Sequence, residues 1–271
     1  MLSWHKACNA CKYEKTSLVP AINAQTSHEL IDEVSRETSL KDLRISNFRV
    51  ILEKVITLKP PGNRLLDVGC AHGWFLEEAK GSFIAEGIEP DTHVQKKTLV
   101  KGLSVKQGFF PEVLKSDEKY DVISFNDVFE HIPDVTTILN ACQSHLNPDG
   151  LLVINLPSSS GFFYRLSKMF FKLGKPGFFE RLWQKDLPSP HLHYFNSDNL
   201  SRLVQSNGFS VEHTGNLSTL SMNGLFTRLS YTGNSSLLKN MIMYVLITLS
   251  LPFLSLLPSD IIYLIAKKKS V

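Results

Sequence analysis

An α/β fold with a mostly parallel sheet covered by helices on both faces is predicted by three observations. Between Arg64 and Asn155, short apolar runs alternate with helical patterns, and buried strands alternating with helices belong to parallel sheets. The first apolar run ends in a turn of small residues, Gly69-Cys70-Ala71-His72-Gly73, which opens a helix. The chain has 271 residues, 43% of them hydrophobic and 20% charged, enough to bury one sizeable core with insertions. Its 15 Gly and 13 Pro are too few for a disordered or collagen-like chain.

The elements follow in order. Residues 1–38 are polar and aperiodic and read as a tail carrying a Cys8-Asn9-Ala10-Cys11 pair. Over 39–58, Leu43, Phe48, Ile51, Leu52, Val55 and Ile56 recur at helical spacing until Pro60-Pro61-Gly62 stops the pattern. Arg64–Val68 is a strand, Trp74–Lys80 a helix, Phe83–Ile88 a strand, and Asp91–Lys101 a helix closed by Gly102. Ser104–Gln107 and Val122–Phe125 are strands, followed by a helix bearing Val135, Ile138, Leu139, Cys142 and Leu146 that ends at Asn147-Pro148-Asp149-Gly150. Leu151–Asn155 is the next strand, Asp198–Ser206 a helix stopped by Gly208, and Phe209–His213 and Ile261–Ala266 the last two of seven strands. Insertions interrupt the rhythm at about 158–195 and 215–259, and 267–271 reads as a basic tail.

Charge and cysteine usage narrow the function. Lys plus Arg exceed Asp plus Glu by 29 to 26, and this net +3 predicts no nucleic-acid partner. Four cysteines are too few for a disulfide scaffold, and Met1 to Lys15 holds no apolar leader core, so a reducing, cytoplasmic setting is expected.

The sharpest chemical signal is Leu65-Leu66-Asp67-Val68-Gly69-Cys70-Ala71-His72-Gly73-Trp74-Phe75-Leu76. Gly69 and Gly73 lack the Cβ atoms that would block a ligand from the backbone, and the helix start offers N–H groups to a polar or anionic group. Glu89, twenty residues after Gly69, stands where a carboxylate accepts hydrogen bonds from both hydroxyls of a ribose. Together they indicate an adenosine-containing cofactor. Trp74 occupies the place of the third glycine of a dinucleotide fingerprint, which argues against a nicotinamide enzyme.

Four ordered motifs carry a family resemblance over about residues 40–266: LLDVGCAHGWFL, EGIEPD, YDVISFNDVFEHIPD and LNPDGLLVINLPS. The sequence resembles the class I S-adenosylmethionine-dependent methyltransferases, in the branch of ubiquinone-biosynthesis O-methyltransferases and sugar- or lipid-pathway methyltransferases. The resemblance implies a Rossmann-like seven-stranded sheet and S-adenosylmethionine as cofactor. It implies that Asp67 steadies the loop, that Gly69, Ala71 and Gly73 flank the methionine portion, and that Glu89 holds the ribose. Gln107, Gly108 and Phe109 would flank adenine, with Asn126 and Asp127 at the mouth of the sheet. The sequence departs from the pattern at Ala71, where the family has glycine, and at Phe109-Phe110, where an acidic residue often meets the adenine amine.

Asp127, Glu130 and His131 match the acidic, acidic, histidine cluster with which the ubiquinone-pathway enzymes hold a divalent cation; equally, they could cap the next helix. His191 and His193 fall on one side of the stretch if it is extended, near the acceptor opening. With His131, they are the candidate bases for deprotonating an acceptor hydroxyl; the alternative is a turn leading into a helix, with both rings bonded to backbone. Cys8 and Cys11 resemble one knuckle of the zinc ribbon of some relatives, and with no second pair the expectation is a metal-free remnant. Methyl transfer to an oxygen of a small or lipid-linked acceptor is the function expected. A binding or scaffold protein that keeps the fold without turnover is the alternative.

The two insertions suggest a cover over the acceptor. Phe162, Leu166, Met169, Phe170 and Leu173 share one helical face, with Arg165, Lys168 and Lys172 on another. Asn240 to Ser259 is free of charge, and Lys239 and Lys267-Lys268-Lys269 flank it more widely. A hairpin or interfacial helix touching the inner face of a membrane is expected there, rather than a crossing.

Overall fold

The computed structural model describes residues 3–21, 33–220, 237–254 and 256–269. Its elements are β1 (His5–Ala7), β2 (Glu14–Thr16), α1 (Glu33–Leu58), β3 (Arg64–Val68), α2 (Trp74–Ala79), β4 (Ile84–Glu89), α3 (Thr92–Val100), β5 (Ser104–Gln107) and β6 (Tyr120–Asn126). A 3₁₀ turn (Phe129–His131) follows, then α4 (Val135–His145), β7 (Leu146–Pro157), α5 (Phe162–Lys172), α6 (Gly177–Leu182), β8 (His193–Tyr194), α7 (Ser197–Ser206), β9 (Phe209–Leu217), α8 (Leu237–Leu254) and β10 (Ile261–Lys268).

The main sheet has seven strands in the order β5-β4-β3-β6-β7-β10-β9, and β10 alone runs against its neighbours. Successive strand residues feed opposite layers. Leu65 and Val122 join Ile51, Val55 and Phe75 beneath α1 and α2, whereas Leu66 and Ile123 join Leu139 and Leu200 beneath α4 and α7. This two-sided burial explains the continuous apolar runs. Three helices start at side-chain caps: Asp91 accepts from the His93 and Val94 N–H groups, Asp134 from Thr136 and Thr137, and Asn196 forms a reciprocal box with Asn199.

Several boundaries differ from the sequence reading. Leu146 ends its helix and already pairs with Tyr120, and a register shift between Tyr120 and Val122 absorbs the Asn147–Gly150 turn into β7. Two residues of the expected basic tail are sheet: Lys267 lies in β10, 3.0 Å from Asp149, and Lys268, also in β10, donates from Nζ to the carbonyls of Gln143 and Leu146.

The largest correction concerns the N-terminus. Residues 3–21, within the expected tail, form a strap whose hairpin β1-β2 pairs with β8 in a separate three-stranded sheet. Glu14 is buried there, accepting from Tyr164 Oη (2.8 Å) and Lys168 Nζ (2.7 Å) and meeting His5 Nε2 at 2.7 Å. Burial alone would raise its pKa, but these bonds hold it below the usual carboxylate range. The strap turns the first insertion around. α5 buries Tyr164 and Ser167 against α6, with Phe171 stacked on Phe179, and Met169 and Leu173 of the apolar face read from the sequence point outward at 49% and 67% exposure.

In the second insertion, residues 221–236 lie outside the described residues, and α8 is one continuous helix. Among the described residues no helix is long and apolar enough to cross a membrane.

Candidate functional site

The site is built where β3, β4, β6 and β7 end. Asp67, on β3, is buried, and its Oδ1 accepts from Ser124 Oγ (2.8 Å) and Asn126 Nδ2 (2.9 Å), with burial pushing its pKa up to about 7. The following turn is left-handed at three alternate positions, Gly69 (φ 69°), Ala71 (φ 44°) and Gly73 (φ 75°). Alanine carries that strain where the family has glycine, and the Ala71 N–H donates to Glu89 Oε2 (2.8 Å). Glu89 also accepts from the Asp91 N–H, and burial raises its pKa.

The glycines also serve the packing beneath the turn. A Cβ at Gly69 would meet the Val128 side chain at 2.6 Å, and one at Gly73 would meet Leu103 at 2.3 Å. They admit protein packing beneath the turn; Gly69 lines a cavity and Gly73 does not.

Three adjoining cavities share lining residues. The first, about 280 Å³, is bounded by Arg44, Ala71, Glu89, Asn126, Asp127 and His131. The second, about 530 Å³ and mostly apolar, shares Gly69, Pro90, Val128 and His131 with it and adds Gly108, Phe109, Phe110 and Glu112. Gln107 lines neither; its amide donates to Thr92 Oγ1. The third, about 260 Å³, shares Arg44, Asp127, His131 and Gln184 with the first and adds Glu130, His191, Asn155 and Thr219.

Asp127 sits in the left-handed region at φ 54°, its N–H donating to Asn155 O (2.9 Å), with its carboxylate 3.2 Å from the Arg44 guanidinium. The sequence reading missed Arg44. Its signal was positional: Arg44 falls at i, i+4, i+7 with the apolar Phe48 and Ile51 on the inner side of α1. That arginine partner also corrects the expected metal cluster. Among the described residues, the group whose ligand atoms lie within 4.8 Å of one another is Glu130, His131 and His191, with His191 in the place expected for Asp127. Glu130 is fully buried, its Oε2 has no hydrogen-bond partner, and burial together with the Asp127 charge raises its pKa well above the usual carboxylate value.

The three candidate bases separate. His131 donates from Nδ1 to Pro190 O (2.9 Å), and its Nε2 lies 3.8 Å from Glu130 Oε1. His191 Nε2 lies 4.0 Å from the same oxygen and 2.9 Å from the Gln184 amide nitrogen. His193 does not join them. Its Nε2–H donates to Ile132 O (2.8 Å), its Nδ1 accepts from Tyr13 Oη (2.5 Å), burial lowers its pKa, and it lines none of the three cavities. Regular alternation fails because only His193 and Tyr194 are strand, while His191 belongs to the irregular segment before it.

Residues 41–214 match a protein family described as a methyltransferase domain. The chain is 27% identical over 193 residues to the mitochondrial ubiquinone biosynthesis O-methyltransferase of Bos taurus, covering 64% of this chain and 50% of that protein. It is 33% identical over 108 residues to the ubiquinone biosynthesis O-methyltransferase of Pasteurella multocida, covering 34% and 45%. The chain thus spans about half the length of the curated relatives it matches. Among solved structures, its fold is similar to magnesium protoporphyrin IX methyltransferase from Synechocystis with bound S-adenosylhomocysteine, at a TM-score of 0.55, 13% identity and 88% coverage of each chain.

Proposed function

The chain belongs to the class I S-adenosylmethionine-dependent methyltransferases, and from that premise we propose that it methylates an oxygen of a small or lipophilic acceptor, such as a quinone, lipid-linked or sugar intermediate. The observation that carries the reading is that the three adjoining cavities share walls, with Asp127 and His131 common to the one at the Glu89 turn and the one at Glu130 and His191. The ubiquinone-pathway relatives support oxygen as the acceptor atom.

Each lobe has chemistry to match. Glu89 would accept hydrogen bonds from the ribose hydroxyls, with Gly108, Phe109 and Phe110 against adenine. Arg44 and Asp127, already paired, present a cation and an anion to the carboxylate and ammonium of the methionine end. Asp67 positions Asn126 at the same wall. Because the sulfonium methyl is already electrophilic, the protein has to align the acceptor oxygen in line with it and exclude water. His131 Nε2 is the base placed to take the hydroxyl proton, a contribution of about 10²–10⁴ in rate. In the alternative to His131 acting as base, the Glu130, His131 and His191 donors would hold a divalent cation, which would supply Lewis acidity to the acceptor oxygen. The apolar outer side of α8 supports peripheral contact with the inner face of a membrane.

The test pairs binding with turnover. Titration with S-adenosylmethionine should show saturable binding that Glu89→Ala weakens roughly 10- to 150-fold, from the loss of charged hydrogen bonds. Cells fed a deuterated methyl donor, with and without the protein, are then compared by mass spectrometry of lipid extracts. A labelled species present only with the protein identifies the acceptor; identical extracts from a protein that binds the cofactor remove the lipophilic acceptor from the reading.

A further inference from the structure

The strap lies outside the residues that match the methyltransferase domain, yet it reaches the cofactor space at two points. Pro20 lines the 530 Å³ cavity directly, together with Gly108, Phe109 and Phe110. Tyr13 reaches it through another side chain: its hydroxyl bonds His193 Nδ1 (2.5 Å), and His193 Nε2–H donates to the carbonyl of Ile132 (2.8 Å), which lines the same cavity beside Pro133. The ring of Tyr13 stacks on that of His193 at 5.9 Å.

The strap is clamped by its backbone over the intervening distance. The Thr16 N–H donates to Leu192 O (2.9 Å), Thr16 Oγ1 to His191 O (3.1 Å), and the Ala21 N–H to Pro188 O (2.7 Å). On the other side of that segment the Leu192 N–H donates to Glu130 O (2.8 Å). Residues 188–193 are therefore bonded to the strap on one side and to the 3₁₀ turn on the other. His193 is buried with both ring nitrogens engaged, a geometry suited to fixing a wall.

We propose that the strap forms part of the nucleoside lobe, with Pro20 as a contact to the adenosine moiety and Tyr13 and His193 as positioning residues for the Ile132–Pro133 wall. This rests on the cofactor reading given above and extends it to a segment that the domain match does not include. It assigns His193 to the cofactor lobe, where the sequence had placed it with the acceptor.

The test uses two probes that share the nucleoside and differ at the amino-acid end, S-adenosylhomocysteine and 5′-methylthioadenosine, titrated into the full chain. Tyr13→Phe should weaken both by the same factor, roughly three- to tenfold, the scale of one buried hydrogen bond. His193→Ala should do the same, and adding Tyr13→Phe to it should cost nothing further, because the two act through one chain of bonds. His193→Gln keeps a donor and an acceptor and should recover most of the loss. Pro20→Ala should also weaken both probes. Arg44→Ala is the contrasting variant, expected to weaken S-adenosylhomocysteine alone. A thermal melt of each variant fixes a titration temperature at which it is folded. Unchanged affinity for both probes in Tyr13→Phe and Pro20→Ala overturns the proposal, as does a loss confined to S-adenosylhomocysteine. A wild-type chain that binds neither probe overturns the cofactor reading itself, a result distinct from either.

Discussion

The two insertions are similarly apolar in sequence and opposite in the folded chain. In the first, Trp183, Phe179 and Tyr164 are enclosed by one another, by Tyr194 and by Trp4 of the strap. In the second, α8 shows Met241, Ile242, Val245, Leu249 and Phe253 at 52–72% exposure, and Leu256 beyond it at 83%. The difference is the strap. It supplies the first insertion with aromatic contacts and one buried carboxylate, whereas the described side chains of α8 include no comparable enclosed cluster. An exposed apolar strip of this kind is suited to an interaction surface.

The comparison also moves the charges. Lys168, read from the sequence as part of a basic helix face, is held by Glu14, and Lys267 and Lys268 are bonded within the sheet end. Arg165 and Lys172 remain exposed on α5. Membrane contact, if made, should therefore depend more on α8's apolar side chains than on charge.

Substitutions separate the two regions. Trp183→Ala, deep in the first insertion, should cost about 3–5 kcal/mol of folding stability, read from urea unfolding. A cost below about 1 kcal/mol would mean that the first insertion is no more enclosed than the second. Leu249→Ser with Phe253→Ser should leave stability within about 0.5 kcal/mol per substitution, yet lower sedimentation with anionic vesicles by roughly tenfold or more. Equal sedimentation of variant and wild type would return α8 to a surface without a lipid partner.

Glu14→Gln should cost about 1–2 kcal/mol at neutral pH, through a weakened bond to Lys168 and the His5 contact. The folded pKa of Glu14 is depressed, so its stabilisation is complete above about pH 5 and fades as the pH falls through the folded value. The variant should lack that acid-side loss in a pH series of unfolding midpoints; parallel curves would remove the carboxylate from the strap's attachment. The smallest effect belongs to Arg165→Gln and Lys172→Gln, each expected to lower vesicle binding by about 1 kcal/mol or less and only at low salt.

How much was legible follows from the range of the interactions. β3, β4, β6 and β7 could be read because Leu65, Leu66, Ile88, Ile123, Phe125 and Ile154 announce two-sided burial within a few residues, and Glu89 because its distance from Gly69 is set by one β-α-β unit. The strap could not. Three-residue strands have too few positions for a period, and Tyr13 finds His193 across 180 residues. The resemblance to the ubiquinone-pathway cluster suggested Asp127 as a cation ligand beside Glu130 and His131; in the fold Asp127, left-handed, pairs with Arg44, and the irregular segment at Pro190-His191 brings His191 into its place. The outward turn of Met169 and Leu173 likewise depends on Glu14, which draws Tyr164 inward.

The reversed strand β10 has a consequence for how the chain is made. It lies between β7 and β9 but comes after both in the sequence, so during synthesis from the N-terminus the facing edges of β7 and β9 wait, unpaired, until residues 261–268 leave the ribosome. Ile262, Leu264 and Ala266 on one side, with Tyr263 and Ile265 on the other, then enter both cores at once. The nascent chain up to β9 therefore exposes two adhesive borders, the state in which a chaperone or a second nascent copy has its longest access to this protein.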